Sequence, residues 1–331
     1  MRVAVTGASG FVGSHTVAAL TDAGHRVKAV VRNPDRLKPA LEPLDVAAET
    51  IDIHVADMTD LEAIRPSLAD VDAVVHCASI YSFDRRRARE IAEINDLGVR
   101  HVLNSAIEAG LDPIVHVSSM LALHRDGEVG LTIGRDAPPG NSPYSYSSSK
   151  ARQETFAHSL QSSGAPVVVT YPGGVIGPHD PHDGESVRMF RNAGVGKMSM
   201  LPDLTVAFVD VRDVAIVHAA VMEKGLGPQR YIAGGHTIRM DSMVELITAA
   251  LGKPKRTRRV PMGAARAVGV LGDALRKIGL DIGASPEAIW LGGNHVTPDN
   301  SHTEDDLGIT FRPIEESVKD QVQWMIDTNR F

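Results

Sequence analysis

TGASGFVG, residues 6–13, lies between RVAVT (2–6), a short β-rich run, and HTVAALTDAG (15–24), which reads as a helix closed by a glycine. Three glycines at three-residue intervals between a strand and a helix predict a loop that cradles a phosphate. Gly7 permits a tight turn, Gly10 lets backbone approach a pyrophosphate, and Gly13 lets the helix pack close to the strand. The free amides at the helix start then face the anion.

Outward from this loop the first half keeps one rhythm. KAVVR (28–32) is a strand, and another lies near 51–55, followed by a helix near 61–68 and the strand AVVHCA (73–78). A long helical region near 89–108 leads to PIVHVSS (113–119). Apolar runs without strict alternation suit parallel strands buried on both faces. Strands alternating with helices predict an α/β fold, a Rossmann-type doubly wound parallel sheet. After VVVTYP (167–172) the rhythm breaks in the turn-rich PGGVIGPHDPHDG. The reading is a dinucleotide-binding domain over 1–172 and a smaller, discontinuous C-terminal substrate lobe over 173–331. Segments 206–215 and 229–234 are expected to return to the first domain as strands or edge pieces.

Composition narrows the function. A net charge of −7 argues against a general nucleic-acid binder, which wants a basic face. Cys77 is the only cysteine, so no intramolecular disulfide and no zinc-binding cysteine cluster forms. MRVAVTG runs into a strand without a signal pattern. The apolar stretch 260–280 carries Arg266, Asp273, Arg276 and Lys277, too many charges for a membrane span, and reads as core or dimer packing. A soluble, cytoplasmic chain is the expectation.

YSYSSSK (144–150) carries the chemistry. A hydride donor needs a partner that gives a proton to the carbonyl oxygen. Free tyrosine titrates near about 10, and an adjacent ammonium lowers that value. Residues four apart on a helix share a face, whereas residues six apart do not. Tyr146 stands four before Lys150 and is the catalytic candidate. Tyr144 stands six before it and reads as a packing residue at the helix start or the pocket wall. Ser147, Ser148 and Ser149 are small enough to let ligands come near the helix. In VVRNPDR (30–36) Arg32 sits at the strand tip, with Arg36 and Lys38 nearby. A guanidinium there pairs with a 2′-phosphate, which a carboxylate would repel, so NADP(H) is favoured over NAD(H).

The spacings Gly7-x-x-Gly10-x-x-Gly13 and Tyr146-x-x-x-Lys150 resemble those of extended short-chain dehydrogenases/reductases, the NAD-dependent epimerase/dehydratase family. VTGASGFVGS with VVRNPDR is most similar to the dihydroflavonol, cinnamoyl-CoA and aldehyde reductases. The resemblance implies that Lys150 holds the nicotinamide ribose and acidifies Tyr146. In VHVSSM (115–120) it selects Ser119 to donate to the substrate oxygen, leaving Ser118 a structural role. It implies further cofactor contacts at Ser9, Phe11, Val12, Asp57, Met58, Ala78 and Pro172. Asn95 is left as either a cofactor-side amide or a structural one. In the spacing of UDP-galactose epimerase the NAD-type aspartate falls at Val31.

YPGGVIGP (171–178) matches the family's Arg-Pro-Gly-Asn-Val-Tyr-Gly-Pro region. Tyr171 replaces the arginine and Gly174 the asparagine, which removes polar groups that a nucleotide diphosphate would use. The implied activity is a carbonyl reductase acting on an aldehyde or ketone, with Ile80, Tyr81, Met120, Tyr171 and Gly174 in the substrate pocket. Two alternatives stand beside it: a nucleotide-sugar epimerase or dehydratase with tightly bound NAD(P), and a non-catalytic NADP-binding redox sensor. A homodimer is the family expectation. HDPHDGE (179–185) has metal-ligand residue types but no helix to fix their spacing, so no metal is expected. RRRAR (85–89) reads as a solvated helix start and KPKRTRR (253–259) as a surface connection.

Overall fold

The computed structural model describes residues 1–80, 87–264 and 286–331. Tyr81, residues 85–86 of the RRRAR run and residues 265–280 of the apolar stretch lie outside them. The strands are β1 (Arg2–Thr6), β2 (Arg26–Val31), β3 (Asp52–Val55), β4 (Ala73–His76), β5 (Ile114–Val117), β6 (Thr132–Ile133) and β7 (Val167–Pro172). Beyond them come β8 (Gly174–Ile176), β9 (Met200–Leu201), β10 (Thr205–Asp210), β11 (Gln229–Ala233), β12 (His236–Arg239), β13 (Arg258–Arg259) and β14 (Thr297–Pro298). Seven of these form one sheet in the order β11-β7-β5-β4-β1-β2-β3, parallel throughout.

Helices α1 (Phe11–Asp22), α2 (Leu37–Leu41), α3 (Leu61–Ser67), α4 (Ala88–Glu108), α5 (Ser145–Ser162) and α7 (Val211–Ala220) cover the two faces of this sheet, while α6 (Glu185–Gly194) and α8 (Met240–Ala250) pack apart from it. Side chains alternate across a strand, so Val3, Val5, Val75 and Val168 meet Val17, Leu20, Val214 and Val217 of α1 and α7. On the other face Ala4, Val74, Ile114 and Val169 meet Val102, Leu103 and Ala157 of α4 and α5. Burial on both faces explains the unbroken valine and isoleucine runs. This is a Rossmann-type doubly wound sheet. The order reverses between β1 and β4, and the crevice beyond their carboxyl ends is where such sheets take ligands.

β11 completes the edge of the central sheet against β7. The segment 206–215, expected to return there too, does not join it. β10 pairs instead with β8 and β12, and Val211 already begins α7, whose amide at Arg212 is capped by the Asp210 carboxylate. This small sheet turns Ile176 and Phe208 onto a third core with Phe190, Met243, Ile247 and Trp324.

Candidate active site

The loop after β1 is built as its glycines require. Gly7 has φ +68°, and a Cβ there would lie 2.8 Å from Ala78 Cα. A Cβ on Gly13 would overlap the Gly7 carbonyl oxygen. Gly10 N donates to Gly7 O at 2.8 Å, and Ser14 N donates to Gly10 O at 2.8 Å, the first helical bond. The amides of Phe11, Val12 and Gly13 precede that bond and have no partner within the helix. Ala78, two residues beyond β4, donates its amide to Thr6 Oγ1 at 3.3 Å. Main-chain donors, a helix start and no intruding Cβ fit the diphosphate of a dinucleotide.

Arg32 follows β2 directly, with 67% of its side chain exposed and its guanidinium 3.8 Å from Asp57 Oδ2. Thr59 gives Asp57 Oδ1 two bonds, from its amide at 2.9 Å and its hydroxyl at 2.8 Å. Burial pushes the Asp57 carboxyl up, but these bonds and Arg32 outweigh it and hold the group below its ordinary range. Met58 is buried against α4, where a Cβ on Gly98 would lie 2.5 Å from its sulfur. Arg36 and Lys38 are exposed, and Lys38 reaches Glu49 at 3.4 Å.

Tyr146 and Lys150 stand one turn apart on α5, 9% and 3% exposed. Lys150 Nζ donates to Ser79 Oγ at 3.2 Å. Burial pulls the Lys150 ammonium down to about 8, against the opposing pull of Asp96 and Glu154. Ser119 begins the turn Met120–Leu123, and its hydroxyl oxygen accepts from Leu121 N at 3.2 Å, which leaves its proton to donate elsewhere. Ser118 donates to Glu154 Oε2 at 2.9 Å.

Two residues placed in the substrate pocket are core residues. Tyr171 is 0% exposed and its hydroxyl donates to Glu154 Oε1 at 2.6 Å. It shares the α5 face of β7 with Val167 and Val169, so it underlies the site. Met120 is 3% exposed in the same core. Ile80 is half-buried, and Asn95 grips its backbone with Oδ1 accepting from Ile80 N at 2.8 Å and Nδ2 donating to Ile80 O at 3.0 Å. Asn95 is thus a structural amide. Gly174 lies under Phe208, whose ring would be 2.8 Å from a Cβ there. Pro172 is buried at the end of β7.

Sequence reasoning missed the polar layer beneath α5. Glu154 is fully buried and accepts from Ser118 and Tyr171, and His158 Nε2 lies 2.5 Å from its Oε1. Its place four residues after Lys150 was the available signal, since Tyr146, Lys150, Glu154 and His158 form one helical stripe. His76 and His116, in register on β4 and β5, stack at 5.9 Å. Burial and the Lys150 charge hold both neutral, His76 at about 3 and His116 well below its ordinary value. Ser79, exposed just beyond β4, is a further residue that the sequence reading does not single out.

The other clusters have structural employment. Asp180 accepts from the amides of His182 and Gly184, and Asp183 pairs with Arg191 and Arg330. Among the described residues no three His, Cys, Asp or Glu groups are placed to hold a metal, and no helix is long and apolar enough to cross a membrane. Arg87 and Arg89 pair with Glu90 and Glu93, and Arg259 with Asp241.

A sequence model of the NAD dependent epimerase/dehydratase family matches residues 3–234. Cinnamoyl-CoA reductase 1 of Arabidopsis thaliana is 32% identical over 256 residues, 74% of this chain and 73% of that protein. Sterol demethylase protein B of Methylococcus capsulatus is 25% identical, over 84% of this chain and 83% of its own. The crystal structure of gox2253 superposes with a TM-score of 0.82 at 23% identity, covering 100% of this chain and 99% of that one, and shares the fold.

Proposed function

The chain belongs to the NAD dependent epimerase/dehydratase family, and within it we propose an NADP(H)-dependent reductase that interconverts an aldehyde or ketone with its alcohol. The observation that carries this is the buried pair Tyr146 and Lys150, one helical turn apart, with the lysine bonded to Ser79 just beyond β4. Residues 1–172 would hold the dinucleotide and 173–331, apart from β11, mainly the substrate side. The glycine loop with Phe11 and Val12 would take the diphosphate, Asp57 and Met58 the adenine, and Arg32 the 2′-phosphate.

The bound nicotinamide supplies the hydride. Tyr146 gives its proton to the substrate oxygen, or takes one in the oxidative direction. Lys150, held by Ser79, stabilises the phenolate that results and binds the ribose. Ser119 donates to the same oxygen and fixes it within reach of the phenol. Gly174 supports a reductase over a nucleotide-sugar enzyme, because an asparagine there would drive into the Phe208 ring. Cinnamoyl-CoA reductase 1 as a relative points the same way.

The test is a panel of aldehydes and ketones followed at the NADPH absorbance band, with NADH and Tyr146→Phe as controls. Turnover with NADPH that the variant loses is the expected result. Nucleotide retained through purification, with no net use of added NADPH by any carbonyl, would favour an epimerase or dehydratase.

A further inference from the structure

The helix bearing the proposed acid lacks a cap of its own. Tyr144 is the N-cap of α5 and its side chain makes no capping bond. Ser145, Tyr146 and Ser147 then fill the first turn, whose amides need acceptors from outside the helix. Ser147 finds one 140 positions away. Its amide donates to Glu287 Oε1 at 3.0 Å and its hydroxyl to the same oxygen at 2.7 Å. Ser147 is 0% exposed and Glu287 7%, so the bonds are shielded from water. A carboxylate at this end also meets the positive pole of the helix.

Glu287 belongs to the helix Pro286–Gly293, which grips the neighbourhood a second time. The Trp290 ring lies 5.6 Å from that of Tyr144, and its Nε1 donates to Asp126 Oδ1 at 3.1 Å. Tyr146 therefore stands between Tyr144, packed on Trp290, and Ser147, bonded to Glu287. We propose that Glu287 is a positioning residue: the helix Pro286–Gly293 caps α5 across the chain, so the reactive phenol is set only while that helix is docked. This rests on the proposed role of Tyr146. It would make completion of the acid depend on the lobe proposed to meet the substrate. Displacement of about 1 Å at a reacting group can cost about a hundred-fold in rate.

Glu287→Ala, Glu287→Gln and Ser147→Ala in the full chain test it, by steady-state kinetics, NADPH titration and amide hydrogen exchange over 145–150. Glu287→Ala should lower kcat about ten-fold, leave NADPH affinity within about two-fold, and speed Ser147 amide exchange about ten-fold. Glu287→Gln keeps the acceptor oxygen and should recover most of both. Ser147→Ala keeps the amide bond but loses the hydroxyl bond, and should fall between. Unchanged kcat and exchange in Glu287→Ala would overturn the proposal. So would equal losses in both Glu287 variants accompanied by lost NADPH affinity, the mark of general damage. Should Glu287→Ala fail to fold, Glu287→Asp, which draws the carboxylate back by one methylene, decides: a kcat loss with faster Ser147 amide exchange at constant NADPH affinity supports the cap, and no change in either refutes it. If the wild type reduces no carbonyl, the functional reading fails, while exchange at Ser147 still decides whether Glu287 caps α5.

Discussion

Lys150 Nζ donates to Ser79 Oγ at 3.2 Å, a bond that ties a buried turn of α5 to the exposed loop that follows β4. The lysine is thereby held on the side of the helix that also carries Tyr146. Phenol and ammonium keep their separation because both arise from one rigid element, one turn apart. Tyr146→Phe keeps the ring and removes the hydroxyl that would carry the proton, so kcat/KM should fall by about 10²–10⁴-fold while the far-ultraviolet circular dichroism and NADPH affinity hold. Activity within ten-fold of wild type would take the proton transfer away from this residue.

The same lysine costs stability. Its ammonium titrates near 8 in the folded chain because burial strips its hydration, against an ordinary 10.5. The folded state thus binds this proton more weakly than the unfolded state, and stability rises with pH through the window from 8 to 10.5. Below it the charged lysine carries its full cost, on the order of 3 kcal/mol. The cofactor-free Lys150→Met variant should therefore be more stable than wild type at pH 7, by about 1–3 kcal/mol, and lose that advantage by about pH 10.5. Urea midpoints at the two pH values check this. An advantage independent of pH would mean that the lysine does not titrate in that window.

In the proposed reading cofactor choice rests on Arg32, which follows β2, two-thirds exposed and 3.8 Å from Asp57. Replacing the guanidinium with a carboxylate removes a charge-assisted pair to a 2′-phosphate and adds repulsion. Arg32→Asp should shift the NADPH-to-NADH ratio of kcat/KM toward NADH by about a hundred-fold. A ratio that moves less than three-fold would assign selectivity elsewhere.

What the sequence made legible is what is local. The glycine loop is one strand, one turn and one helix start, and each glycine answers to atoms within the loop or at the neighbouring strand end. Tyr146 and Lys150 are related by helix geometry alone. The rest depends on pairings that no short window contains. That 205–210 is a strand is local; that it pairs with β8 and β12 rather than with β11 is not. Glu287 reaches Ser147 across 140 positions, and nothing near either residue announces it. Tyr171 is the intermediate case, since VVVTY alternates in a buried strand and only the parity shared with Val167 and Val169 sends the phenol beneath α5.

That placement separates two expectations for Tyr171. A wall residue would change substrate KM on substitution, while a core donor would change stability. The phenol is fully buried, and burial together with the Glu154 carboxylate pushes its pKa well above 10, so it remains a protonated donor across the working range. Tyr171→Phe keeps the ring and deletes the hydroxyl that donates to Glu154 Oε1 at 2.6 Å. Ser118 still donates to Oε2 and the His158 ring still lies beside Oε1, so the carboxylate is weakened in its bonding but not stranded. The loss should be about 1–3 kcal/mol in urea unfolding, with KM for the carbonyl within about two-fold of wild type. A ten-fold rise in KM at an unchanged unfolding midpoint would return Tyr171 to the pocket wall, and the buried bond to Glu154 would then have no energetic weight.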